Sequence, residues 1–157
     1  MIFKFYDTCS LLMKATSLFE KQNENERIVI SSITLQELEN IKNSNYKDPD
    51  IKHAARILLH ILGENPHKYT VQNYLSDMIK PIVDKGLEIS NDTKILACAF
   101  YYDTYIHPDE TVFVTNDLAL KQFANLFFGE DSIESVIEEE DTYDGYLEVT
   151  MDEEEMG

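Results

Sequence analysis

Strand-like runs of apolar, aromatic and β-branched residues alternate with helical patterns along most of this chain. The runs lie at residues 2–6, 27–31, 69–71 and 111–115. Between most of them, apolar residues recur every three or four positions, which is the spacing of one helix face. Strands that alternate with helices favour a parallel sheet, because each helix serves as the crossover to the next strand. The order therefore predicts an α/β fold.

Capping residues indicate where several helices begin. Asp48-Pro49, Ser90-Asn91 and Asn116-Asp117 stand directly before helical patterns, where a side-chain oxygen accepts a free backbone N–H. Thr34 and Glu37 have the spacing of a capping box, which predicts that Glu37 lies in the first turn of the second helix.

The negative charge is concentrated near the carboxyl terminus. The 157 residues carry a formal charge of -17, and residues 130–157 hold 13 of the 30 acidic residues but none of the 13 Lys and Arg. Residues 1–129 therefore have 17 acidic against 13 basic residues, a net charge of -4. Such a block of like charge is typical of a tail. We predict a folded domain at 1–129 and an acidic tail or linker at 130–157, and the domain's charge does not exclude RNA as a substrate.

Signals for membranes, secretion and disulfides are missing from the sequence. No run approaches the ~18 apolar residues of a membrane span, and the amino terminus lacks the apolar core of a signal peptide. Cys9 and Cys98 form no CxxC or zinc-type spacing. We therefore expect a cytoplasmic protein with two free thiols and no membrane association.

Four acidic residues stand where the predicted fold would gather them. Asp7 and Asp117 each follow a strand and precede a helix, which predicts that both lie at the carboxyl ends of parallel strands. Glu37 and Asp92 stand near the starts of two further helices. Carboxylates brought together repel one another, and hard divalent ions such as Mg²⁺ or Mn²⁺ relieve that repulsion. Two such ions ~4 Å apart activate a water and stabilise the leaving oxygen of a phosphodiester.

Each acid also has a plainer structural interpretation. Glu37 fits the capping box, while Asp92 and Asp117 favour the positive end of a helix dipole. Asp7 is harder to explain in this way, because it ends an apolar strand and has no cationic neighbour in sequence. The joint pattern favours a shared metal site over four separate structural roles.

Four motifs resemble those of PIN domains. Phe5-Tyr6-Asp7-Thr8 resembles their opening strand-Asp-Thr signature, and Thr34-Leu35-Gln36-Glu37-Leu38 resembles their second motif, in which an acidic residue precedes a leucine. Asn91-Asp92-Thr93-Lys94-Ile95-Leu96 is similar to the third motif, and Val114-Thr115-Asn116-Asp117 is similar to the fourth. The motifs occur in the family's order within about residues 1–129.

The resemblance implies a fold, an activity and a set of site residues. The fold is a three-layer sandwich with a central parallel β-sheet flanked by helices. The activity is that of a Mg²⁺- or Mn²⁺-dependent endoribonuclease that hydrolyses phosphodiester bonds of single-stranded RNA. The implied catalytic residues and metal ligands are Asp7, Glu37, Asp92 and Asp117, with Thr115, Thr8 and Asn116 in support. Cys9 departs from the family, which often has Asn or Ser there.

Several alternatives fit the same motifs. The third motif and residues 143–149 resemble the PIN domain and connector of PhoH-like proteins, which implies a C-terminal ATPase domain in a longer parent chain. A catalytically weak PIN-like module that binds RNA or a partner, an antitoxin-controlled PIN toxin and a homo-oligomer are also compatible. A haloacid dehalogenase phosphatase is disfavoured, because Cys9 stands where that chemistry needs a second Asp.

Overall fold

Five parallel strands form the central sheet of the computed structural model, which describes residues 1–20, 22–45 and 48–136. The strands are β1 (Ile2–Tyr6), β2 (Glu26–Ser31), β3 (Tyr69–Gln72), β4 (Thr111–Val114) and β5 (Ile133–Glu134). Their order is β3-β2-β1-β4-β5, and every adjacent pair is parallel. The carboxyl ends of all the strands therefore meet at one edge. The predicted parallel α/β sheet is confirmed.

Six α-helices connect and cover these strands in the described part of the chain. They are α1 (Thr8–Lys14), α2 (Ser32–Asn43), α3 (Pro49–Glu64), α4 (Lys80–Asp84), α5 (Asn91–Tyr101) and α6 (Leu118–Ala124). The predicted caps Asp48, Ser90 and Asp117 accept backbone N–H groups at the starts of α3, α5 and α6. No helix among the described residues is long and apolar enough to cross a membrane.

Two hydrophobic layers lie on opposite faces of the sheet, because successive strand residues point to opposite faces. Phe5 and Phe113 are fully buried in one layer, which includes residues of α5 and α6. Tyr6 and Val114 lie in the other layer, which includes residues of α1, α2 and α3. Helices therefore pack on both faces, and the expected three-layer sandwich is confirmed.

The second helix begins earlier than the sequence predicted. Ser31 ends β2 and is the N-cap of α2, since its hydroxyl accepts the Ile33 N–H at 2.8 Å. Thr34 consequently lies inside the first turn and Glu37 in the second. The predicted capping box of Thr34 and Glu37 is wrong, because a strand residue already supplies the cap. The side chain of Glu37 is left free for other partners.

The sheet continues past residue 129, where we predicted that the acidic tail begins. β5 pairs with β4, and Val136 is only 9% exposed in the layer of α1, α2 and α3. The side-chain amide of Asn116 donates to the Val136 carbonyl at 3.2 Å and accepts the Val136 N–H at 2.7 Å. Residues 130–136 therefore pack with the folded domain, and β5 extends its sheet. The rest of the predicted tail, including 143–149, lies outside the described residues.

A chain shortened after residue 129 should be less stable than the full chain, whereas a chain ending at residue 136 should not. The shorter chain loses the burial of Val136, worth about 2 kcal/mol, and the ion pair of Lys4 with Glu134. We expect its melting temperature to fall by roughly 5–10 °C. Thermal unfolding followed by circular dichroism measures this. Equal melting temperatures for all three chains would show that β5 contributes nothing to the domain.

Candidate active site

The four predicted acids reach the carboxyl edge of the sheet from four different elements. Asp7 follows β1 and is the N-cap of α1, while Asp117 follows β4 and is the N-cap of α6. Asp92 lies in the first turn of α5, and Glu37 lies in the second turn of α2. The parallel sheet brings these elements to the same edge, although the residues are far apart in sequence.

One threonine hydroxyl connects Asp7 to Asp117. Asp7 is buried, with 3% of its surface exposed, and its Oδ2 accepts the Thr115 hydroxyl at 2.6 Å. Its Oδ1 accepts the Ser10 N–H at 2.9 Å. The Thr115 oxygen in turn accepts the Asp117 N–H at 3.1 Å, and Asp117 Oδ1 accepts the Leu120 N–H at 3.0 Å. Thr115 and Ser10 therefore orient the Asp7 carboxylate, and Leu120 orients that of Asp117, while Thr115 holds the Asp117 backbone.

Glu37 is held by donors from two neighbouring helices. The Thr8 hydroxyl of α1 donates to Glu37 Oε1, and the Asn91 side-chain amide of α5 donates to Glu37 Oε2 at 3.1 Å. The Thr8 oxygen also lies 3.0 Å from the buried Thr34 hydroxyl. Each carboxylate oxygen has a further lone pair. The network therefore orients Glu37 without using up its capacity to bind a ligand.

The carboxylates also influence one another electrostatically. Burial raises the pKa of Asp92 to about 6, and the negative charges of Asp7, Glu37 and Asp117 add to the rise. Asp92 keeps a solvent-exposed side, so water moderates this effect. Burial also raises the pKa of Asp7, its hydrogen bonds oppose the rise, and the charge of Asp117 adds to it. The four acids therefore form one electrostatic cluster.

Cys9 lies beside this cluster and stays uncharged. Burial raises the pKa of its thiol, and the negative charges of all four acids raise it further. The thiolate is the form that binds metals and attacks electrophiles. A thiol held in its protonated form therefore adds neither charge nor a strong ligand to the site.

The donor set of the cluster suits a hard divalent cation. All four acids offer oxygen ligands, and no salt bridge within the described residues involves any of them. Ser10 adds a fully buried hydroxyl that makes no hydrogen bond of normal geometry, yet it lies near enough to lower the pKa of Asp7. Over residues 1–20, 22–45 and 48–136, no three His, Cys, Asp or Glu side chains converge closely enough to hold one ion. The cluster therefore supplies suitable donors without a complete cage.

The predicted supporting residues have different partners in the structure. Thr115 contacts Asp7 and Thr8 contacts Glu37, whereas Asn116 binds the backbone of Val136. Sequence reasoning missed Asn91 as a partner of Glu37. Its only sequence signal was its place beside Asp92 in the third motif, and that signal does not reveal which helix faces it.

Comparison with known proteins identifies the family. The chain matches the family model of the PIN domain over residues 5–127, and it therefore belongs to the PIN domain family, whose members are nucleases. VapBC2 from Rickettsia felis, solved bound to a DNA fragment from its promoter, is similar with a TM-score of 0.54 and 20% identity, over 86% of this chain and 98% of that chain. At that identity the likeness concerns the fold alone. No curated protein matches the sequence significantly.

Replacing Asp92 by Asn should change how stability depends on pH in the metal-free protein. A carboxyl group with a higher pKa in the folded than in the unfolded state binds its proton more tightly when folded. Stability should therefore fall as the pH rises between the ordinary pKa of 3.8 and the folded pKa of about 6. The Asp92→Asn variant should lack the share of this loss of stability that Asp92 causes. It should therefore be more stable than the parent at neutral pH.

Melting curves across this pH range, in a buffer with a chelator, measure the effect. Asp131→Asn is the matched control, because Asp131 is an exposed carboxylate outside the cluster. A pH profile of Asp92→Asn that runs parallel to those of the parent and the control would contradict the electrostatic coupling.

Proposed function

We propose that this PIN-domain protein is an endoribonuclease that hydrolyses phosphodiester bonds in single-stranded RNA with the help of Mg²⁺ or Mn²⁺. The observation that carries the proposal is the electrostatic cluster of Asp7, Glu37, Asp92 and Asp117. Like charges at one sheet edge are costly for a fold unless a cation binds there. Membership of a nuclease family supports the same conclusion.

The residues of the cluster would share the work of holding the ion and orienting the substrate. Asp7 is the most firmly fixed ligand, since its two oxygens are held by Ser10 and Thr115. The carboxylate of Asp117 is oriented by the Leu120 N–H, and that of Glu37 by its contacts to α1 and α5. When bound, the divalent ion lowers the pKa of the attacking water and stabilises the charge on the leaving oxygen.

Asp92 would respond to pH in this site. Its pKa of about 6 lets part of its population hold a proton just below neutral pH, and only the carboxylate form binds a metal ion well. Ion binding should therefore weaken as the pH falls below about 6. The proposed activity accordingly favours neutral to mildly alkaline conditions.

Asp7→Asn should abolish cleavage of single-stranded RNA without unfolding the protein. Asn keeps an oxygen for the Ser10 N–H, and its NH2 can donate to the Thr115 hydroxyl oxygen, but it provides no anionic ligand. We expect the cleavage activity to fall by more than roughly 100-fold. This exceeds the loss typical when a residue that hydrogen-bonds to a metal ligand is removed. The measurement is cleavage of a labelled RNA with Mn²⁺, by parent and variant purified side by side, with a chelator abolishing the parent's activity.

Melting curves with and without Mn²⁺ complete this test. Without metal the variant should match or exceed the parent in stability, because one charge of a repelling cluster is gone. With Mn²⁺ the order should reverse, since an ion that binds only the folded parent stabilises it. If parent and variant cut RNA equally, the activity comes from elsewhere. If neither cuts and Mn²⁺ shifts neither curve, the binding-module alternative replaces the nuclease.

Asn91→Ala should weaken catalysis without removing a proposed metal ligand. It removes the hydrogen bond to Glu37 Oε2 and leaves that carboxylate held by Thr8 alone. Loss of such a partner typically costs about 10–100-fold in activity or metal affinity. Cleavage should therefore need more Mn²⁺ to reach half its maximum. An unchanged Mn²⁺ dependence would show that the orientation of Glu37 does not matter to the reaction.

The predicted larger assemblies are proposals of a different kind. The PhoH-like resemblance rests partly on residues 143–149, which lie outside the described residues. An attached ATPase, an antitoxin and a second copy of the chain are each compatible with the PIN fold. The cleavage assay on the isolated chain separates an active nuclease from a module that only binds.

A further inference from the structure

Tyr74 lies at the same sheet edge as the acidic cluster but has no part in the proposed chemistry. It follows the end of β3 by two residues, and its N–H donates to the Ser32 hydroxyl at the start of α2 at 2.9 Å. β3 is two strands away from β1, which ends beside Asp7. Because neighbouring strands lie about 4.8 Å apart, the carboxyl ends of β3 and β1 are roughly 10 Å apart along this edge. A nucleic acid strand that passes over the cluster can therefore also reach Tyr74.

Lys94 is the cation next to this tyrosine. It follows Asn91 by one helical turn, and residues three apart share a helix face. Asn91 contacts Glu37 from that face, so Lys94 also turns toward α2. Its ammonium lies 5.7 Å from the centre of the Tyr74 ring. Within the described residues Lys94 forms no salt bridge, and its charge is therefore available to an anionic ligand.

The contact between Lys94 and the ring is weaker than the contact that a phosphate offers. A cation over a half-exposed aromatic ring gains little, because water still competes for the ammonium. A charge-assisted hydrogen bond to a phosphate oxygen is stronger. A phosphate near the cluster should therefore draw Lys94 away from the ring. Tyr74 is partly buried and packs against the layer of α5 and α6. The part of the ring that Lys94 covers would then be open to a base, which stacks on aromatic rings whatever its identity.

We propose that Lys94 and Tyr74 form a nucleotide subsite, in which Lys94 binds a phosphate and Tyr74 stacks on the adjoining base. The subsite requires single-stranded nucleic acid, since the face of a base is open to an aromatic ring only when the base is unstacked. That the subsite lies beside the scissile bond rests on the proposed nuclease function. Binding at the subsite does not depend on cleavage, so the two are tested separately.

Lys94→Gln tests the phosphate contact against a matched control. Lys68 also lies over an aromatic ring, 5.6 Å from the centre of Phe19, but it precedes β3 at the opposite edge of the sheet. Lys68→Gln thus removes the same charge and the same kind of contact away from the site. The measurement is the affinity for a fluorescent oligoadenylate, in a buffer with a chelator, at a series of salt concentrations.

We expect Lys94→Gln to weaken binding several-fold at low salt. The slope of log affinity against log salt should become shallower by about 0.7, the value for one phosphate contact on a single strand. Lys68→Gln should keep the parent's affinity and slope. A purely structural role for Lys94 would not change the slope.

Tyr74→Leu tests the stacking contact, with Tyr74→Phe as the variant that keeps the ring. Leu preserves most of the apolar packing, and a melting curve checks that the variant folds. Tyr74→Leu should bind oligoadenylate roughly tenfold more weakly than the parent does. For an abasic strand with the same backbone, the variant and the parent should have equal affinities. Tyr74→Phe should bind both strands like the parent.

The outcomes distinguish the subsite from the nuclease proposal. Equal affinities and salt slopes for Lys94→Gln and Lys68→Gln would overturn the phosphate contact, whether or not the parent cuts RNA. The stacking contact would be overturned if Tyr74→Leu lost the same affinity for the oligoadenylate as for the abasic strand. It would also be overturned if the variant lost affinity for neither strand. If Tyr74→Leu does not fold, equal binding of oligoadenylate and abasic strand by the parent overturns it instead. If the parent never cuts RNA but both expected results are obtained, the subsite stands and the nuclease proposal fails.

Discussion

The hydrogen bond from Thr115 to Asp7 is the interaction on which the site depends. It joins residues 108 positions apart, at a donor–acceptor distance of 2.6 Å, in a buried location. The pairing of Tyr6 with Val114 in β1 and β4 brings the two residues together, because each directly follows its strand. A buried carboxylate needs such donors to be tolerated. The central strands of the sheet therefore create both the burial of Asp7 and the compensation for it.

The rest of the site repeats this arrangement with more distant elements. The hydrogen-bond donors to Glu37 come from α1 and α5. Burial and the neighbouring negative charges raise the pKa of Asp92. A fold optimised only for stability would separate these charges or pair them with cations. Their retention at one edge is the kind of local destabilisation that proteins keep where it serves a function. The proposed ion binding gives that destabilisation a purpose.

The sequence predicted the features that depend on local patterns. Residues adjacent in the chain predict the strands β1 to β4 and the caps Asp48, Ser90 and Asp117. They also predict that Asp7 and Asp117 lie at strand ends, which the parallel pairing of β1 and β4 brings to one edge. The contact of Asn91 with Glu37 joins positions 54 apart, and no pattern near either residue encodes it. β5 has two residues, too few for a periodic signal, and it lies within the acidic block whose composition predicts a tail. Ser31 was predicted as a strand residue, and its second role as the cap of α2 hid the true start of that helix.

The most direct measurement of the central claim is the position of Mn²⁺ in a crystal of the parent protein soaked with that ion. The anomalous scattering of manganese locates it independently of the protein density. The account predicts a peak within ligand distance of the carboxylates of Asp7 and Asp117, with Glu37 or Asp92 turned toward it. A map with no peak at this edge of the sheet, or with the ion bound at a different set of residues, would contradict it.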